Sequence, residues 1–171
     1  MRPGKNEAFL DSTMKAHFSS FAGRGGYLVL AQLVLLLLIA LIAPRTSGNW
    51  GGGLIRVLAA GMMLAGALVG IAGTWALGGN LTPFTKPKIT GALVQDGVYS
   101  HIRHPLYLCQ ILMMTAWALW FASFWGVIAN GFLALVFDRK ARMEERALVA
   151  QFHNYTEYQS KVPRLFPRLR R

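Results

Sequence analysis

Apolar residues in this chain fall in long unbroken runs, and polar residues collect between and after them. Over residues 27–43 the only clearly polar side chain is Gln32, and the run ends at Pro44. At about 1.5 Å per residue such a run approaches the thickness of a bilayer core, which predicts a first membrane-spanning helix. A loop rich in glycine, serine and asparagine follows over 44–53, with Trp50 at an interface. The second run, 57–77, carries Gly61, Gly66, Gly70 and Gly73. Gly66 and Gly70 have the spacing that lets helix backbones approach closely in lipid, either within one bundle or between two copies of the chain.

Residues 78–104 are too polar for hydrocarbon, and Pro83, Pro87, Gly91 and Gly97 interrupt any helix there. Irregular backbone survives at membrane depth only inside protein or beside water, so this loop is expected outside the lipid or lining a cavity. Beyond Pro105, two shorter apolar runs over 106–121 and 124–137 predict a tight hairpin with Ala122 and Ser123 at its tip. Trp117, Trp120, Phe121, Phe124 and Trp125 crowd that tip as an aromatic belt. The second arm continues without a breaker through Asp138, Arg139, Lys140, Arg142, Glu144, Glu145 and Arg146 to about Phe152. One helix therefore leaves the membrane and becomes soluble. The expected fold is all-α, a single polytopic membrane bundle of about four transmembrane helices.

Charge orients this bundle. The chain carries a formal net charge of +11, and of its 18 Lys and Arg residues only Arg45 and Arg56 fall on one side of the expected membrane. The N-terminal arm, the 78–104 loop and the tail hold the others, which places both termini and that loop in the cytoplasm. A bacterial inner membrane is the expected location, with anionic headgroups attracted to the basic face. No small-residue cleavage site follows the first run, so it is read as a retained helix. The single cysteine, Cys109, excludes an internal disulfide or a multi-cysteine metal site. His17 and His153 stand alone, and His101 with His104 lacks the neighbours that zinc needs, so no metal is expected. A phosphate-cradling loop is also missing, since Gly51-Gly52-Gly53 leads into lipid. The membrane accounts for the basic tail, and no nucleic-acid partner is invoked.

The topology brings two polar stretches to one cytoplasmic face: residues 97–107, and the extension carrying Glu144 and Glu145. Arg103 and His104 precede Pro105, a favoured first helical residue, so free backbone amides and a guanidinium there suit an anion such as an amino-acid carboxylate. Tyr99 and Tyr107 suit an adenine face or a sulfonium. The same residues also fit an interfacial cluster, with Arg103 reaching to headgroups. Glu144 and Glu145 point about 100° apart on a helix, so one is expected to accept from a ligand while the other pairs with Arg142 or Lys140. A solvated charged face is the plainer alternative. Tyr155, Tyr158 and Lys161 recur every three residues, as a membrane-surface face or as a substrate wall.

Taken in order, Gly97-Val98-Tyr99, Arg103-His104-Pro105-Leu106-Tyr107, Glu144-Glu145, Tyr155-Thr156-Glu157-Tyr158 and Val162-Pro163-Arg164 resemble the isoprenylcysteine carboxyl methyltransferase and phospholipid methyltransferase superfamily. The resemblance covers roughly the C-terminal half, from Asn80. It implies a cytoplasm-facing pocket for S-adenosylmethionine, with a lipophilic small-molecule substrate entering between helices. Carried over by position, Tyr99, His101, Arg103, His104, Tyr107, Glu144 and Glu145 are the cofactor candidates. Arg103 and Glu145 become the catalytic candidates, and Tyr158 and Arg164 the substrate-binding ones. Cys109 departs from the glycine that many relatives place two residues after the motif tyrosine.

Direct displacement of a methyl group from a sulfonium depends on alignment and partial desolvation rather than on a metal or a nucleophile-base dyad. A carboxylate acceptor is ionised at neutral pH, whereas an amine must first lose a proton. Two other functions fit parts of the pattern. A membrane reductase of the sterol-reductase type would need a longer pocket for NADPH and more helices; a non-enzymatic scaffold would use Gly66 and Gly70 as its contact surface, which also suits a homodimer.

Overall fold

The computed structural model describes residues 25–84 and 91–166. Expectations for the N-terminal arm, for Lys86, Pro87 and Lys88, and for the basic end beyond Phe166 lie outside those residues. Among the described residues all regular structure is helical. Helix α1 is Gly26–Arg45, α2 is Gly53–Leu77, α3 is Pro105–Trp120, α4 is Phe124–Gln151 and α5 is Tyr155–Lys161, with short 3₁₀ turns at Gly78–Asn80 and Gly97–Ser100.

Two helices are long and apolar enough to cross a membrane: α1, and α2 with the turn that extends it. Their apolar side chains face outward; Leu33, Leu37, Leu64, Leu68 and Trp75 are all exposed. An outward apolar surface of this extent suits lipid rather than water. Helix α3 is apolar but only 16 residues long. Helix α4 has 28 residues, at about 1.5 Å each roughly 42 Å, and its C-terminal part carries the charged residues.

Pro44 sits inside the last turn of α1 rather than after it. A proline there has no N–H to donate to the carbonyl four residues back, Ala40. That freed carbonyl accepts the indole N–H of Trp117 at 3.3 Å, which ties α1 to α3. At the hairpin tip Ala122 adopts φ 51°, and Ser123 caps α4 by accepting from the Gly126 amide at 3.0 Å. The Ser123 hydroxyl also meets that of Thr46 at 2.6 Å, joining the tip to the end of α1.

Helix α2 packs on α3 through its small residues. A Cβ on Gly66 would lie 2.9 Å from Met113 Cγ, and one on Gly70 2.6 Å from Cys109 Sγ. The Gly66/Gly70 face is thus filled by a neighbouring helix of the same chain, and Cys109 occupies the groove that these glycines open. Helices α1, α3 and α4 meet around Ile39, Ile111, Ala129, Leu133 and Phe137. Against one end of that core stand the first turn of α3, the charged part of α4, and α5.

Candidate functional site

Glu145 is the node of the site. It lies on α4, 3% exposed, and its carboxylate gathers residues from three distant segments. Arg103 Nη2 is 3.1 Å from Oε1, and His104 Nε2 is also 3.1 Å from Oε1. Arg164 donates to both oxygens, from Nε at 3.0 Å and from Nη2 at 2.7 Å. Gln159 Nε2 donates to Oε2 at 3.1 Å. Burial pushes this carboxyl upward, but hydrogen bonds from His104 and Arg164 and the charges of His104 and Arg103 outweigh it and hold the group near 2. It is an anion at any ordinary pH.

Glu144 points elsewhere, as its neighbouring position on a helix requires. Its Oε2 accepts the Tyr107 hydroxyl at 2.6 Å and lies 3.7 Å from His104 Nδ1. The His104 ring therefore stands between the two carboxylates. Tyr107 is stacked between His104, at 5.1 Å and 7°, and Phe137, at 4.8 Å and 16°.

Several sequence expectations need correction. The amides of Arg103 and His104 are not free for an anion: they donate to the carbonyls of Pro163 and Arg164 at 3.0 and 3.1 Å. Val162-Pro163-Arg164 is thus a strap laid along the entry to α3. Arg103 does not reach to headgroups, because its side chain is buried and Nη1 donates to the Gln159 carbonyl at 2.9 Å. Arg142 pairs with Asp138 at 2.8 Å, one turn back, and with neither glutamate. Tyr155 and Tyr158 are buried rather than spread on a membrane surface, and only Lys161 of that trio is exposed. Tyr158 donates its hydroxyl to the Tyr99 carbonyl at 2.6 Å.

Beside this node opens a cavity of about 110 Å³. Tyr99, Arg103, His104, Tyr107, Glu144, Tyr155 and Tyr158 line it, with Leu77, Leu81, Leu106, Leu148 and Phe152 supplying apolar wall. Of the sequence candidates, Tyr99, Arg103, His104, Tyr107, Glu144 and Tyr158 therefore share one hollow. Glu145 and Arg164 lie behind its wall, where Arg164 also bridges to Asp138 at 3.0 Å. His101 does not join it: it is exposed just after the 3₁₀ turn, with Nδ1 2.8 Å from the Ser100 hydroxyl. Tyr155, Leu148, Phe152 and the end of α2 were not singled out as cofactor residues from sequence, although the Tyr155–Tyr158 spacing carried a usable signal.

The lining suits an amphipathic cation with an attached carboxylate and sugar. Arg103 Nε and the Tyr155 hydroxyl are buried without a hydrogen-bond partner among the described residues. Buried polar atoms left bare are costly, and both belong to residues that line the cavity. Tyr99, Tyr155 and Tyr158 bring aromatic surface that suits a positive centre or a purine, while the Tyr107 ring is already stacked on His104 and Phe137. Burial raises the Tyr99 and Tyr155 hydroxyls well above their usual range, and pushes Tyr158 up to about 12, so all three remain neutral donors rather than bases.

Residues 54–155 match the phospholipid methyltransferase family. The chain belongs to it. The matched stretch takes in α2, the cavity loop, α3 and α4, and so extends the resemblance back beyond Asn80. The chain is also similar to the cobalt-zinc-cadmium resistance protein CzcN of Cupriavidus metallidurans, 31% identical over 127 residues, which are 73% of this chain and 55% of that protein. With the nickel-cobalt-cadmium resistance protein NccN of Alcaligenes xylosoxydans xylosoxydans it is 33% identical over 79 residues, 45% of this chain and 37% of that one. The chain therefore spans about half the length, or less, of these curated relatives.

Proposed function

We propose that this phospholipid methyltransferase family member moves the methyl group of S-adenosylmethionine to a lipophilic acceptor, an isoprenylcysteine-like carboxylate or a lipid amine. The reaction takes place at the cytoplasmic face of a membrane that the chain crosses with four helices, both termini inside. The observation that carries this reading is the cavity: tyrosine faces, an under-satisfied buried arginine and an accessible carboxylate converge where the apolar helices end.

When bound, the cofactor supplies an electrophilic methyl group on a sulfonium. Arg103 and Tyr155 would hold its carboxylate, Glu144, oriented by Tyr107, would take ribose hydroxyls, and Tyr99 would cover the purine or the sulfonium. Glu145 does not touch the ligand; it fixes Arg103 and His104 from behind. Arg164 acts in the same supporting role rather than on substrate. Leu77, Leu81 and Leu106 join the cavity to the lipid-facing side of α2 and α3, where an apolar acceptor approaches.

Thermal unfolding of the detergent-purified chain tests this reading, since a ligand that binds only the folded state raises its apparent stability. Adenosylhomocysteine raises the unfolding temperature and NADPH does not. Stabilisation by NADPH alone would support a reductase instead, and indifference to both would support a scaffold. Transfer of labelled methyl to membrane extracts then identifies the acceptor.

A further inference from the structure

One buried and one half-buried polar residue have no part in the cavity wall. Gln32 is the one clearly polar side chain of residues 27–43, and Lys140 on α4 is 2% exposed. An ammonium or an amide shut away from water is costly unless paired, and inside membrane helices such groups more often serve a site than packing.

The structure links them in a directed chain. Lys140 Nζ donates to Gln32 Oε1 at 2.6 Å, Gln32 Nε2 donates to Gln110 Oε1 at 2.9 Å, and Gln110 Nε2 donates to the Leu106 carbonyl at 3.1 Å. The chain runs from α4 through α1 to the first turn of α3. That turn carries Tyr107, and Lys140 Nζ lies 5.3 Å from the centre of its ring, within cation-π range. Glu144, one helical turn beyond Lys140, accepts the Tyr107 hydroxyl. The partner of Lys140 is a neutral amide, so its charge is left to act on the ring and on the carboxylate beyond it.

We propose that Lys140, anchored by Gln32 of α1, is a positioning residue that fixes the Tyr107 ring and, through it, the Glu144 carboxylate in the cavity. Helix α1, which supplies no residue to the described cavity wall, thereby controls how tightly the adenosyl ligand is held. The second half of this inference rests on the cofactor reading above; the first half does not.

The test uses the full chain in detergent, with Lys140→Met, Lys140→Arg and Gln32→Met. Three quantities are read: unfolding temperature, adenosylhomocysteine affinity by calorimetry, and the fluorine resonance of 3-fluorotyrosine placed at position 107. Lys140→Met removes a buried charge whose hydrogen-bond partner is neutral, and with it the desolvation cost of that charge, so the variant is expected to fold and to unfold no earlier than wild type. Its fluorine resonance shifts and its affinity falls roughly tenfold, the scale of one lost hydrogen bond to a charged group. Lys140→Arg restores part of both. Gln32→Met, which leaves the lysine in place, shifts the same resonance in the same direction.

An unmoved resonance in Lys140→Met and Gln32→Met overturns the proposal, as does a moved resonance with unchanged affinity. A purely structural role predicts a lower unfolding temperature with no selective loss of affinity, and that result also overturns it. If the wild-type chain itself fails to bind adenosylhomocysteine, the cofactor reading falls, while the fluorine result still judges the hold on Tyr107.

Discussion

His104 and Glu145 stand 41 residues apart in the chain and 3.1 Å apart in the fold, Nε2 against Oε1. Between them lie all of α3 and α4 as far as Glu144. Their contact is what makes the two polar stretches of the sequence into one site, and Arg103, Arg164 and Gln159 complete it around the same carboxylate.

Removing that carboxylate leaves buried positive charge without a partner. Glu145→Ala is expected to destabilise the fold by about 3–5 kcal/mol, the scale for breaking a buried ion pair from one side. Chemical unfolding of the purified chain in detergent measures this; a loss below about 1 kcal/mol would show that Arg103 and Arg164 find other partners.

Acidity should expose the same node. Because Glu145 is held near 2 in the fold, below an ordinary carboxyl, its stabilising contribution is complete above about pH 4.5 and disappears as pH falls toward 2. Asp138, lowered chiefly by its hydrogen bond from Arg142, adds to the same trend. Wild-type stability measured from pH 6 down to pH 2.5 should fall, and Glu145→Gln should show a shallower decline. Parallel curves for the two proteins would remove Glu145 as the cause.

Tyr107→Phe keeps the ring between His104 and Phe137 but deletes the donor to Glu144. The expected result is an intact fold with adenosylhomocysteine affinity lowered by about 1–2 kcal/mol, as for one lost hydrogen bond to a charge. Calorimetric titration reads it directly, and an unchanged affinity would place Glu144 outside ligand binding.

The α2–α3 seam offers a packing test. Gly70→Ala drives a methyl group to 2.6 Å from Cys109 Sγ and is expected to cost about 1–3 kcal/mol. Cys109→Ala in the same chain should recover most of that loss, because the sulfur is the obstacle. Gly66→Ala should resist such rescue, since it also meets the Cys109 backbone carbonyl at 3.2 Å. Unfolding midpoints of the single and double variants decide between these outcomes.

Much of this was legible in the sequence because hydrophobic runs and helix breakers are local signals. Pro105 marks the start of α3, and the unbroken pattern past Phe137 shows that the helix carrying Glu144 and Glu145 continues. What stayed hidden depends on contacts that leave no pattern. The amides of Arg103 and His104 look available because nothing near them reveals that Pro163 and Arg164 return to accept them. His101 belongs to the same short segment as His104, yet the 3₁₀ turn directs it to solvent. Gln32 stands out as polar, but a single amide in an apolar run cannot name its partner, and Lys140, whose sequence neighbours point to a glutamate, instead donates to that amide.

The strap at Pro163 and Arg164 also sets an order of assembly. All the residues of α1 through α5 leave the ribosome before the two carbonyls that complete the entry to α3. The helices can thus form while the hollow beside Glu145 is still unfinished, and that hollow is completed only after residue 164 has been synthesised.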